Sequence, residues 1–208
     1  MSELVERQFP AKALLTGLRA IGYSFSTAVA DIIDNSVSAL ATEIKIFSDP
    51  LVDNPYFCFL DNGCGMSSKE LDNAMLLGSN REEKEDRETE LGRFGLGLKS
   101  ASLSQCRVFT VASKKFGKIR AMSFNLDIIE QENKLLLVQL NEDEINGLPH
   151  IDKLKEYGTG TLVIWTNFDK IEGTAKNFED SFRTAVADSK KHVEFVFHRF
   201  YNQIEIYY

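Results

Sequence analysis

Apolar positions along the chain repeat with two periods, and the switches between them mark its elements. Ala11 to Ile21 and Ser26 to Ala41 place apolar residues three and four apart, which predicts two helices, the second with Ser24 or Ser26 as N-cap. EIKIFS, Glu43 to Ser48, alternates polar and apolar and predicts a strand buried on one side. YFCFL, Tyr56 to Leu60, is continuously apolar and predicts a more deeply buried one. The intervening DPLVDNP is turn-rich. In SSKELDNAMLL, Ser67 to Leu77, a capping box of Ser67 and Glu70 precedes the helical spacing of Leu71, Met75 and Leu76. GRFGLGLKSASLSQ leads into a further helix, and VFTVAS, KIRAMSFNL, KLLLVQL and TLVIWTNF predict antiparallel strands. Phe178 to Ser189 has a helical period, whereas HVEFVFHRFYNQIEIYY suits helix and strand equally. Strands interleaved with helices that cover one sheet face predict an α+β two-layer sandwich, because the alternation is too irregular for a doubly wound parallel sheet.

The second predicted helix carries an unusual polar side. Asp31, Asp34, Asn35 and Ser38 fall on one stripe, opposite Val29, Ile33, Val37 and Leu40, and no Lys or Arg interrupts it. Solvated helix faces usually mix charge signs at one-turn spacing. Oxygen donors without balancing cations suit a hard cation such as Mg²⁺, held by one or two protein oxygens together with waters and substrate phosphates. Asn35 is the natural direct ligand, and Asp31, one turn earlier, is placed to accept a proton from a water aimed at a phosphoryl group. An acidic solvated face is the alternative reading of the stripe alone.

Two glycine-bearing segments add to this. FLDNGCGM, Phe59 to Met66, puts Asp61 at the end of a buried strand, where it can accept a hydrogen bond from the amino group of an adenine; Gly63 and Gly65 follow. Asn-Gly is also a hairpin signal, but the next element is a helix. LGRFGLGLKS, Leu91 to Ser100, fails as a Walker loop, since Leu98 stands where Lys belongs, and as a Rossmann fingerprint, since the third glycine and the preceding strand are missing. What remains is a bare backbone ahead of a helix N-terminus, which suits phosphates; close helix packing is the alternative use of those glycines. Ser79 to Glu90 has nine charged residues in twelve and no large apolar anchor.

Composition narrows the partners. A chain of 208 residues that is 43% hydrophobic fits one sizeable domain, and 24 basic against 31 acidic residues, a formal charge of -7, argue against nonspecific attraction to nucleic acid or anionic membrane. Cys58, Cys64 and Cys106 are odd in number and lack metal-site spacing, which predicts a reducing compartment. With no signal peptide and no apolar run near the ~20 residues of a spanning helix, the expected location is cytoplasmic. The chain reaches Tyr208 inside a strand-like pattern, which predicts a piece of a longer protein. His150, His192 and His198 neighbour no candidate ligand set and are read as surface or packing residues.

DIIDNSVSA, DNGCGM, GRFGLGLKSA and GTGTLVIW, in that order, resemble the four sequence boxes of the GHKL ATPase superfamily of gyrase B subunits, ninety-kilodalton heat-shock chaperones, histidine kinases and MutL proteins. The branch they most resemble is the MORC-like and chaperone-like group, over about residues 11–168. The resemblance implies a Bergerat-type sandwich with a mixed, mostly antiparallel sheet and a mobile ATP lid at about 79–92. It implies Asn35 on Mg²⁺, Asp61 on the adenine, Gly63, Gly65 and Met66 near the base, Gly95, Leu96, Gly97, Leu98 and Lys99 around the phosphates, and Thr161 near the adenine. Residues 1–170 would form the ATP-binding domain, and 171–208 its last helix and strand, leading to an absent transducer-like domain. The implied activity is Mg-dependent ATP binding and slow hydrolysis with Asp31 as base, driving lid closure and homodimerisation of a larger protein. Two residues depart from the family: Asp31 stands where hydrolytic members carry Glu, and Ser38 replaces the Asp of the usual Asp-Ala. An ATP-responsive binding module with negligible turnover is the second expectation, and a histidine-kinase catalytic domain the third.

Overall fold

A computed structural model describes residues 10–20, 22–77, 97–171, 178–200 and 203–208. Among them the helices are α1 (Ala11–Arg19), α2 (Phe25–Ser38), α3 (Ser68–Met75), α4 (Gly97–Leu103), α5 (Leu126–Glu132), α6 (Glu142–Asn146), α7 (Ile151–Glu156) and α8 (Phe178–Val196). The strands are β1 (Glu43–Asp49), β2 (Tyr56–Asp61), β3 (Cys106–Lys115), β4 (Lys118–Asn125), β5 (Leu137–Gln139), β6 (Gly160–Phe168) and β7 (Glu205–Tyr207). They form one mixed sheet in the order β5-β4-β3-β6-β2-β1-β7, antiparallel except for the β1 and β7 pair. The expected α+β sandwich is present.

The strand patterns explain the layers. β2 sends Phe57 and Phe59 to one face and Cys58 and Leu60 to the other, and all four are buried, so its continuous apolar run reflects cover on both sides. The larger core joins Phe57, Phe59 and Trp165 to the buried sides of α1, α2, α3, α4 and α8. Phe25, Phe57, Phe59 and Trp165 meet mostly edge to face, with centroids 4.9 to 6.0 Å apart, and the Trp165 indole donates to Ser102 Oγ at 2.8 Å. Each such side chain contributes about 1.5–3 kcal/mol through burial. The opposite face has a smaller core, in which Ile145 of α6 and Ile151 and Leu154 of α7 cover Leu60, Leu162 and Ile164. These short helices have no counterpart among the predicted elements.

Other differences have local causes. KLLLVQL is a strand only over Leu137–Gln139, because its partner β4 ends at Asn125, which turns away to cap α5. Leu40, placed on the apolar stripe, is 81% exposed with φ 61°, since α2 ends at Ser38 and the chain reverses there. The ambiguous tail is helical through Val196, with Phe182, Ser189 and Val193 on the buried side, and only then forms β7. Cys58, Cys64 and Cys106 are free thiols, the first and third in the core. No helix among the described residues is long and apolar enough to cross a membrane.

Candidate functional site

The site grows from the end of β2. Asp61, 5% exposed, accepts at Oδ2 from Ser36 Oγ (3.0 Å) and at Oδ1 from the Gly63 main-chain N–H (2.9 Å). Burial raises its pKa, and Gly63, Ser36 and the Thr161 N–H oppose that by favouring the carboxylate. Ser36 is thus the hinge pin between α2 and the sheet. Ser36 sits one residue off the acidic stripe, so the stripe does not point to it; the available signal is a small polar residue one turn beyond Ile32 and Ile33, which are both buried.

The segment after Asp61 is clamped from three directions. Cys64 N–H donates to Ala39 O (2.9 Å), Thr159 Oγ1 donates to Gly63 O (2.7 Å), and Met66 N–H donates to Ser113 Oγ (2.8 Å). Ser113, fully buried on β3, also lies 3.0 Å from Gly160 O and 3.0 Å from Thr161 Oγ1. Asn62 Oδ1 caps the main-chain N–H groups of Thr42 and Glu43 at 2.9 and 3.0 Å. Gly65 has φ 59° and lies so close to β3 that a Cβ would fall within 3.0 Å of Lys114 O. The chain then enters α3 through the expected capping box, so the hairpin alternative for Asn-Gly is not what forms.

On α2 the oxygen side faces outward beside this segment. Ser24 caps the helix at Thr27 N–H (3.1 Å), Asp31 and Asp34 are half-buried, and Asn35 and Ser38 are exposed. Asn35 Nδ2 donates to Asp31 O at 2.9 Å, which leaves Asn35 Oδ1 pointing away from that bond. Burial raises the pKa of Asp31, opposed by a hydrogen bond from Tyr23, and raises that of Asp34, helped by the charge of Asp31. No group of three His, Cys, Asp or Glu able to hold a metal occurs among the described residues, so a cation here would need oxygens from its ligand.

The structure therefore gathers Asp61, Gly63, Gly65, Met66 and Thr161 in one cluster and joins it through Ser36 to the helix bearing Asp31 and Asn35. Gly97 and Leu98 open α4, which packs on α2; Leu98 leans on the core, and a Cβ on Gly97 would meet nothing within 4 Å among the described residues. Gly95, Leu96 and the lid at 79–92 lie outside the described residues. Lys99, expected to face phosphate, is turned inward: it is 1% exposed, and Nζ donates to Ala74 O at 2.7 Å. The last carbonyls of α3 attract it there. A cavity of about 440 Å³ opens among Arg19, Ser24, Gln105, Lys170 and Thr184, and its lining includes none of the expected site residues.

Desolvation pushes the Lys99 pKa down to about 8, below its ordinary value, so the unfolded chain binds this proton more tightly than the folded one. The Lys99 contribution to stability therefore increases from about pH 8 up to the ordinary lysine pKa, at about 1 kcal/mol per pH unit. Chemical denaturation of the wild type and Lys99→Met at steps of about half a pH unit, from about pH 7.5 to about pH 10, measures it. A difference in stability that stays flat with pH contradicts the desolvated ammonium.

Residues 23–161 match the family described as histidine kinase-, DNA gyrase B-, and HSP90-like ATPase. The chain is 26% identical over 179 residues to mouse ATPase MORC2B, covering 78% of this chain and 17% of that protein. It is 31% identical over 112 residues to human MORC family CW-type zinc finger protein 1 (51% and 11%), and 29% identical over 108 residues to human ATPase MORC2 (50% and 10%). The chain thus spans less than a fifth of these relatives.

Proposed function

Because the chain belongs to the histidine kinase-, DNA gyrase B-, and HSP90-like ATPase family, we propose that it binds ATP with Mg²⁺ and hydrolyses it slowly. Nucleotide closes the segment at 79–92 and drives homodimerisation of the longer protein. The observation that carries this reading is the Asp61 carboxylate, buried at the strand end and bonded to Ser36, so that an adenine acceptor and an oxygen-rich helix are locked into one frame. Ser36, Gly63 and the Thr161 N–H engage the carboxylate, and its two oxygens, with about four lone-pair sites, keep one for an adenine amino group. Gly63, Gly65 and Met66 form the wall beside the base, with Thr161 on the neighbouring strand.

Gly95, Leu96, Gly97, Leu98 and Lys99 contribute main chain to the phosphates. The Lys99 ammonium stays with α3, and the bare side of Gly97 leaves room for a close approach. Asn35 offers Oδ1 to the metal, which fits because its amide nitrogen is already engaged. When bound, the metal neutralises charge on the phosphates and fixes their orientation. Asp31 takes the proton from the attacking water, and its short side chain makes that transfer slow. This chain makes no direct contact with nucleic acid or membrane, consistent with a formal charge of -7. Three free thiols fit a cytoplasmic location.

Steady-state phosphate release by the longer protein tests the reading. Asp31→Asn is expected to lower turnover by about 100-fold or more while ATP affinity by calorimetry changes less than threefold or so. Tight ATP binding with no turnover in the wild type would instead identify an ATP-responsive binding module, a reading that the substitution of Asp for Glu at residue 31 favours. Absence of both binding and turnover rules out the two together.

A further inference from the structure

Ser113 holds three neighbours and has only one hydrogen to give. In the strand register Asp61 lies opposite Thr161, and Thr161 lies opposite Ser113, so the three side chains form one row across β2, β6 and β3 on the face that also carries Phe57 and Phe59. Ser113 Oγ accepts from the Met66 N–H at 2.8 Å and lies 3.0 Å from Gly160 O and 3.0 Å from Thr161 Oγ1. A carbonyl can only accept. The bond to Gly160 O therefore takes the single Ser113 hydrogen, and the contact with Thr161 uses the hydrogen of Thr161. Were the Ser113 hydrogen given to Thr161 instead, the bond to Gly160 O would be unmade. Ser113 is fully buried, so bulk water does not make good that loss, and the arrangement with every bond formed is the stable one. Thr161 then has no hydrogen left for a ligand. Neither has Asp61 as a carboxylate, so the row presents lone pairs alone.

We propose that Ser113 is a positioning residue for base selectivity: by taking the Thr161 hydrogen it fixes that hydroxyl as an acceptor, so that Asp61 and Thr161 together favour a base edge carrying an amino group over one carrying a carbonyl. A free threonine hydroxyl turns to suit either partner and discriminates little, whereas one committed to Ser113 behaves toward a ligand as Asp61 does. A carbonyl set against two acceptors pairs with neither. In a buried corner that mismatch is costly, because polar groups stripped of water are left without partners. Ser113 itself stands back from the base contact, one strand beyond Asp61 with Thr161 between them. The role rests on Asp61 being the contact to the base.

Ser113→Ala frees the Thr161 hydrogen. Calorimetry on the longer protein with Mg²⁺ and either ATP or inosine triphosphate is expected to show the preference for ATP reduced about tenfold, chiefly because inosine triphosphate binds more tightly. The ratio of affinities is the quantity to read, since the Met66 N–H also loses its partner and that loss weakens both nucleotides alike. A thermal melt establishes that the variant is folded. If it is not, Ser113→Cys carries the same comparison, because a thiol is small and a poor acceptor. In a Thr161→Val background Ser113→Ala is expected to leave the ratio unchanged, as no hydroxyl remains to be turned. A ratio within about twofold of the wild type in the folded variant, or a shift that persists in the Thr161→Val background, overturns the role of Ser113 and leaves the base pocket standing. A wild type that binds no ATP, or that holds ATP and inosine triphosphate equally, overturns the base-pocket reading, and the role of Ser113 with it.

Discussion

Asp61→Asn is expected to weaken ATP binding by ~100-fold or more, about 2.7 kcal/mol, while the domain stays folded. The amide keeps an oxygen for the Gly63 N–H, and its nitrogen meets Ser36, whose hydroxyl can turn from donor to acceptor. A buried charge is removed as well, so the unfolding free energy should stay within about 1 kcal/mol of the wild type. The loss falls on the ligand, because an acceptor facing an adenine amino group gains a donor. The same swap predicts that ATP loses its advantage over inosine triphosphate, whose base carries a carbonyl at that position. Calorimetry with both nucleotides and a thermal melt decide the matter. Undiminished ATP affinity in a folded Asp61→Asn would remove Asp61 from the base pocket.

Gly65→Ala carries the largest expected cost in stability, more than ~3 kcal/mol and a melting midpoint lower by roughly 10 °C. Two effects combine: the residue sits at φ 59°, and the added Cβ would press within 3.0 Å of Lys114 O, a strand carbonyl that cannot swing aside. The crowding is local to this corner, since a Cβ on Gly160, the partner of Lys114 across the strands, would likewise fall within 3.0 Å of Asp61 O. Gly97→Ala is the control. Its Cβ has open space among the described residues, and alanine favours a helix by about 1 kcal/mol, so its midpoint should match or exceed the wild type. A Gly65→Ala midpoint within about 2 °C of the wild type would show that β3 yields.

Both expectations bear on how a nucleotide pocket is held. In the DNGCGM box the aspartate is the proposed contact to the base, whereas Gly65 serves the approach of three stretches of main chain, at Gly65, Lys114 and Gly160. A glycine in a binding motif is thus not by itself a ligand contact. Lys99 teaches the same lesson for charge. Its position after the glycine segment suggests phosphate, yet among the described residues its ammonium donates to the carboxyl end of α3, which is distant in sequence.

Much of the architecture was legible in the chain because periodicity and capping are local. The two acidic-box elements, α2 and β2, the capping box of Ser67 with Glu70, and the succession of strands follow from spacing that any isolated segment already contains. The ordered short motifs that resemble an ATPase family are local in the same sense, and residues 23–161 match that family. Where patterns failed, a partner was deciding. Leu135 and Leu136 look like strand but are exposed because β4 has ended, and the tail's helix lasts to Val196 because Val193 finds the core.

What only the folded chain decided is which polar group meets which. Nothing near residue 36 announces that its hydroxyl will bond a carboxylate 25 positions away, nor does residue 113 announce that it will hold the Met66 amide and abut Thr161. The sequence alone determined the elements, the family boxes and the excess of acid on α2, since these depend on residues within a turn or two of each other. Tertiary packing determined that Ser36 faces inward, that Lys99 serves α3 and that Ser113 holds the Met66 amide, because such pairings depend on the distances between elements, and those are set by the shared core under the sheet.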